Sequence, residues 1–247
     1  MAISLIKSFK EIGFDVGFCK PISGINGWYQ FNCIEESLKL GFLVGEDLIK
    51  LHEACESNND LRVEGAIVSV VFPPDPVKID FRVDYYSIHN PVIVRILNDH
   101  YYFPSSLNLL SDKIAKIVKK MIERFDAKEH NDFNELFENG LKIAEGCLEN
   151  IKHDIVIVES YSNVATPLDL LNYDFILTVM PCKAVIIKGD DFKMAVKLYS
   201  SRPSFITVER ILEIVKAVKI FDIPPKRSID TAMDIVSFLS SKTIKLF

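Results

Sequence analysis

Lys20, Asp47 and Glu159 combine residue type and position in a way that points to chemistry. Each lies in a short segment beside a predicted strand end: Lys20-Pro-Ile-Ser-Gly24, Gly45-Glu-Asp47 and Glu159-Ser-Tyr-Ser-Asn-Val-Ala-Thr-Pro167. A fourth segment of this kind is Phe72-Pro-Pro-Asp-Pro76. In a parallel sheet these segments are expected to converge on one edge, where open α/β sheets bind ligands. Lys20 supplies a compact cation for a carboxylate, carbamate or phosphate oxygen. Asp47 and Glu159 are hard oxygen donors, and proteins commonly hold Mg2+ with one or two carboxylates plus phosphate oxygens and water.

The same residues have plainer readings. Glu159 can cap the loop after its strand, and Asp47 is an ordinary first-turn acid that complements a helix dipole. Lys20 can be satisfied by an ion pair with either of them. Trp28 and Tyr29 suit stacking on a ring, or a hydrophobic lid or interface. His52, His89, His100, His130 and His153 show no metal-ligand spacing and read as surface or structural residues. Cys19 and Cys182 read as packed rather than nucleophilic.

The elements that must position these groups alternate between strand and helix. Leu5, Ile6, Phe9 and Ile12 recur at helical spacing up to Gly13, and an apolar strand is predicted over 14–19. Residues 20–30, with Pro21, Gly24, Asn26 and Gly27, read as a structured loop. Further helices are predicted at 31–40, 46–55, 107–125, 133–151, 191–200, 208–218 and 229–240, and strands at 65–72, 92–98, 154–159, 175–180 and 184–188. Pro73, Pro74 and Pro76, and later Pro224 and Pro225, punctuate the pattern. The run Asp154-Ile-Val-Ile-Val-Glu159 is the clearest buried strand, and the nearly continuous apolar run over 92–98 suits a parallel strand buried on both faces. The expectation is an α/β fold: one domain of 247 residues with a mostly parallel sheet and helices on both faces.

Composition narrows the function classes. Hydrophobic residues make up 49% and charged residues 26%, which suits a chain with a generous core and excludes disorder. With a net charge of −5 and no face-wide basic tract, duplex nucleic acid is not an expected partner. Lys113, Lys116, Lys119 and Lys120 fit the solvated face of an amphipathic helix. The five cysteines include no CxxC pair, so neither a disulfide framework nor a zinc knuckle is signalled. Lys7, Lys10 and Glu11 interrupt the N-terminal apolar residues and no long uncharged apolar run follows, so no membrane partner and a cytoplasmic setting are expected.

Taken in order, the segments resemble the dethiobiotin synthetase group within the signal-recognition and MinD-like class of P-loop proteins, over most of Met1 to about Val196. In that group a P-loop and helix precede a strand ending in Lys-Pro and a small hydroxyl-bearing loop, matched by Gly17-Phe-Cys-Lys-Pro-Ile-Ser-Gly24. Asp47 matches an acidic residue opening a helix, and the segment Phe72 to Pro76 loosely matches a Pro-containing one. Val158-Glu159-Ser160 stands where the group has Val-Glu-Gly. The chain is still more similar to archaeal P-loop ATPases carrying Lys-Pro-Ile-Ser-Gly followed by Trp-Tyr, here Lys20 to Gly24 with Trp28 and Tyr29, a likeness that carries architecture but no substrate.

The resemblance implies an ATP-dependent ligase or ATPase, Mg2+ and ATP as cofactors, a small carboxylate or carbamate as substrate, and a homodimer. Lys20 would orient the substrate and Ser23 would hydrogen-bond it, while Asp47 and Glu159 would hold the metal. One component is absent: no Gly-x-x-x-x-Gly-Lys-Ser/Thr occurs, and no glycine precedes Gly13. A P-loop cradles phosphates with consecutive backbone N–H groups at a helix N-terminus. Met1 to Lys7 looks like the helix that follows such a loop, which implies that the first strand and the P-loop are missing together, either through a late start or in a shortened relative. The alternative function is a non-catalytic binding or assembly protein on the same framework. Removing a central strand would leave its neighbours with unpaired backbone groups.

Overall fold

The computed structural model describes residues 1–82, 91–160, 163–168, 172–199, 206–224 and 229–243. Of the sequence features above, His89, Tyr161, Ser162, Ser200 and Pro225 lie outside the described residues. The chain begins with α1 (Ala2–Glu11), β1 (Val16–Cys19), β2 (Ile22–Asn26), α2 (Phe31–Leu40), α3 (Glu46–Cys55), α4 (Leu61–Glu64) and β3 (Ile67–Val71). After a 3-10 turn at Pro76–Ile79 come β4 (Ile93–Ile96), β5 (Asp99–Tyr102), α5 (Pro104–Leu107), α6 (Asp112–Phe125), β6 (Lys128–Glu129) and α7 (Phe133–Glu149). The last part holds β7 (Ile155–Val158), β8 (Phe175–Met180), β9 (Lys183–Lys188), α8 (Gly189–Tyr199), α9 (Val208–Leu212), β10 (Lys219–Asp222) and α10 (Ile229–Thr243).

The chain divides into two compact units, 1–19 with 50–57 and 151–247, and 20–49 with 58–150. The α/β class holds, but the sheets are mixed where a mostly parallel one was expected. Parallel pairing joins β1 to β7, β2 to β3 and β5 to β6, whereas β3–β4, β4–β5, β8–β9 and β9–β10 are antiparallel. For β4–β5 and β8–β9 the reason is connection length. Two residues, Leu97-Asn98 and Pro181-Cys182, separate the strands of β4–β5 and β8–β9, and so short a link closes only a hairpin.

In the unit built on 20–49 and 58–150, the sheet runs in the order β2-β3-β4-β5-β6 with helices on both faces. Ile25, Val68, Val70 and Ile93 face Cys33 and Ile34 of α2 and Val118, Met121 and Phe125 of α6. On the other face Ile67 and Ile96 meet α7 at Gly140. A Cβ there would lie 2.9 Å from Ile96 Cδ1, so the glycine allows the helix to sit close to the sheet. Local chemistry sets the helix ends: Asp132 accepts hydrogen bonds from the Asn134 and Glu135 N–H groups at the start of α7, and Gly41 ends α2 at φ 83°. The lysines of α6 are exposed while Val118 and Met121 are buried, as its amphipathic spacing requires.

Arg95 of β4 is fully buried. It donates from Nε to Leu43 O (2.7 Å), from Nη2 to Gly65 O (2.7 Å) and from Nη1 to Leu97 O (2.8 Å). Burial, and next the nearby Arg62 charge, lower its pKa to about 9, so it remains charged at neutral pH. His100 of β5 accepts the Leu43 N–H at Nε2 (3.1 Å) and stacks on Phe125. The sequence marks neither residue as the support of the α2–α3 connection.

In the other unit β8, β9 and β10 form an antiparallel sheet, and Val185 and Ile187 pack with Phe192, Ala195 and Val196 of α8 and Ile211 of α9. Helices α1 and α10 pack together. β1 and β7 pair in parallel register from Val16↔Ile155 to Cys19↔Val158. His153 lies across Gly17 and its Nδ1 bonds Asp15 Oδ2 (2.9 Å), closing the amino end of that pair.

Candidate functional site

The Lys20–Gly24 segment is not the loop expected from its glycine and proline. Pro21 O accepts from the Ile67 N–H, and from Ile22 onward the chain is strand β2, with Ser23 opposite Val68. Lys20 thus stands between the carboxyl end of β1 and the amino end of β2, its N–H donating to Glu64 O (2.7 Å). Its side chain is 7% exposed, and Nζ lies 3.7 Å from Asp47 Oδ2, an ion pair longer than a hydrogen bond whose acid is 67% exposed. An ion pair so open to water contributes on the order of 0–1 kcal/mol.

Asp47 lies in the first turn of α3, after Gly45 O accepts the Ile49 N–H and opens the helix. The turn before it is pinned by Ser37 of α2, whose Oγ accepts the Val44 N–H and donates to Val44 O. Ser23 sits beneath this connection. A Cβ on Gly45 would lie 3.7 Å from Ser23 Cβ, and Ser23 Oγ is buried with no hydrogen-bond partner among the described residues. A buried hydroxyl without a partner costs about 1–3 kcal/mol, so such a group is usually matched by a water, an ion or a bound ligand. Lys20, Ser23, Gly45 and Asp47 therefore come together: an ammonium and a buried hydroxyl beside the amino end of a helix, which together suit a small oxyanion.

One expected segment is placed otherwise. Phe72 to Pro76 follows the carboxyl end of β3, where Gly27 N–H donates to Val71 O, whereas Lys20 lies at the amino end of that strand. The two segments are separated by the length of β3, roughly 17 Å at 3.3 Å per residue, so the four segments do not converge on one edge. Glu159 belongs to the unit of β1 and β7 and donates its N–H to Cys19 O (2.8 Å). Among the described residues no three His, Cys, Asp or Glu side chains group to hold a metal ion. Trp28 and Tyr29 are 61% and 83% exposed. Cys19 is buried as expected, but Cys182 is exposed, because it occupies the β8–β9 turn at φ 70°. Among the described residues, no helix is long and apolar enough to cross a membrane.

Sequence reasoning missed Gly45 as the residue that lets the helix amino end approach Ser23, and Glu64 as a buried acid beside the Lys20 backbone. The second had a signal: Asp60 caps α4, and its carboxylate accepts the Arg62 N–H (2.8 Å), placing a short helix just before β3. Compared with protein-family models, curated proteins and solved structures, the chain matches none.

Proposed function

We propose that this chain is a dethiobiotin-synthetase-like domain that binds a small carboxylate or carbamate through Lys20 and Ser23. The observation that carries the reading is the unpartnered, buried Ser23 Oγ beside the amino end of α3, with the Lys20 ammonium close to the same helix. Lys20 neutralises and orients the anion, and Ser23 donates to one of its oxygens. Ser37 pins the connection that brings Gly45 close to Ser23, which fixes the donor in place.

Mg2+ and ATP belong to the same proposal as the cofactors of an ATPase or ligase, but the chain's own groups do not make their site. Asp47 already faces Lys20, no three His, Cys, Asp or Glu side chains group to hold a metal ion among the described residues, and no Gly-x-x-x-x-Gly-Lys-Ser/Thr is present to cradle phosphates. No step is therefore routed through nucleotide or metal. A second reading, a non-catalytic binding or assembly protein, is favoured by β7: four consecutive apolar residues, each only half-buried, paired on one side by β1 and by no other strand among the described residues. The homodimer implied by the resemblance fits either reading, with a cytoplasmic setting and no nucleic-acid or membrane partner.

Calorimetric titration with acetate, glutarate and 6-aminohexanoate, each with and without Mg-ATP, tests these readings. The first expects saturable carboxylate binding that K20M abolishes and S23A weakens by about tenfold, the equivalent of one hydrogen bond to a charged group. Saturable Mg2+-dependent ATP binding supports the ATPase. No heat from any of these ligands at millimolar concentration sinks that reading and leaves the assembly protein.

A further inference from the structure

A second concavity lies away from Lys20, where the β4–β5 turn meets α7. It encloses about 340 Å³, within the range of small-molecule sites, and its walls include Leu97, Asn98, Tyr101, His130, Asn139 and Ile143. Three observations make it more than a surface crease. Leu97 holds a left-handed backbone at φ 50°, a conformation natural to Gly or Asn and strained for leucine. It is fixed from both sides, since its N–H donates to Ala66 O (2.8 Å) and its carbonyl accepts from Nη1 of the buried Arg95 (2.8 Å). The fold therefore sustains a strained residue at the cavity wall.

Apart from the ion-paired Asp99, the polar side chains of the cavity are neutral, and its two amides are uncommitted. The side-chain amides of Asn98 and Asn139 make no hydrogen bond among the described residues, and each offers a donor and an acceptor. Asp99, the acid at the rim, is matched by Lys128 at 2.9 Å. His130 accepts the Asp132 N–H at Nδ1 (3.2 Å), so in the neutral ring Nε2 carries the proton and serves as a donor. The His130 and Tyr101 rings stand perpendicular, with centroids 5.9 Å apart, and present an edge and a face.

We propose that this cavity binds a planar nitrogen heterocycle of nucleobase size. Asparagine amides pair with the adjacent donor and acceptor of such a ring, as they do with adenine, and the aromatic and aliphatic walls cover its faces. The balanced charge disfavours a phosphate or carboxylate there. The assignment is independent of the Lys20 site, sharing no residue with it.

The test is 1H–15N NMR titration of the whole chain with adenine, cytosine and nicotinamide, with p-xylene as an apolar control of similar size. The expected result is saturable shifts of the Leu97, Asn98, Tyr101, His130 and Asn139 amides with at least one heterocycle and none with p-xylene. The exposed-residue variant N139A should fold as the parent and bind about tenfold more weakly. L97G should keep or raise the thermal midpoint, because it relieves the backbone, while also losing affinity; a purely structural turn would not separate the two effects. No saturable shift with any heterocycle, equal shifts with p-xylene, or undiminished binding in N139A would each overturn the proposal.

Discussion

His100 and Arg95 make the α2–α3 connection, and with it the Gly45–Ser23 approach, sensitive to pH. Burial first, and the Arg95 charge next, lower the His100 pKa from its usual 6.5 to about 4. Between those values the unfolded chain binds a proton that the folded chain does not, so stability rises with pH across that window and is lost as pH falls from about 6.5 to about 4. The amplitude is on the order of 2 kcal/mol once partial solvent screening is allowed for. Urea titrations at pH 4.5 and 7 should report that difference. H100Q, which keeps an uncharged acceptor for the Leu43 N–H, should flatten the profile; an unchanged slope would assign the dependence to other groups.

Regular, strongly periodic elements were legible from the residues, and close pairings were not. Helices α2 and α3 fall on the residues that their apolar spacing predicts, because nothing in the surrounding structure competes with that spacing. Strand β2 was hidden: Ser23, Gly24 and Asn26 have poor strand propensity, and only pairing along β3 makes them extended. β10 went unassigned, since Lys219-Ile-Phe-Asp222 lies just past the helix expected over 208–218 and becomes a strand by pairing with β9. For the site, Lys20 and Asp47 were found by type and order, whereas the divergence of Phe72 from Lys20 depends on β2 being a strand.

β7 gives a test at the same level. Ile155 and Glu159 donate to Asp15 and Cys19 of the β1 strip, so in a parallel ladder Val156 and Val158 point their N–H groups to the opposite edge. Amide hydrogen exchange should therefore alternate, fast at Val156 and Val158 and slow at Ile155, Ile157 and Glu159. Uniform protection along β7 would mean that another strand covers the edge, the outcome that the assembly reading requires in its bound form.

The division into two units predicts how the whole chain loses structure. Met121 is fully buried in a cluster whose members all belong to the unit of 20–49 and 58–150, while Ile187, Phe192 and Val196 belong to a cluster wholly within the other. Truncating Met121 to alanine removes buried volume at a cost of about 2–5 kcal/mol. If each unit is held mainly by its own core, that loss falls on local opening of one unit, and exchange at Val68 and Val94 should accelerate by roughly 30-fold or more, given tenfold per 1.4 kcal/mol. Exchange at Ile186 and Ile187 should stay near its original rate. Equal acceleration at both places would mean that the chain opens as one cooperative body, and K20M and S23A would then have to be checked for global unfolding before any loss of binding was assigned to the site.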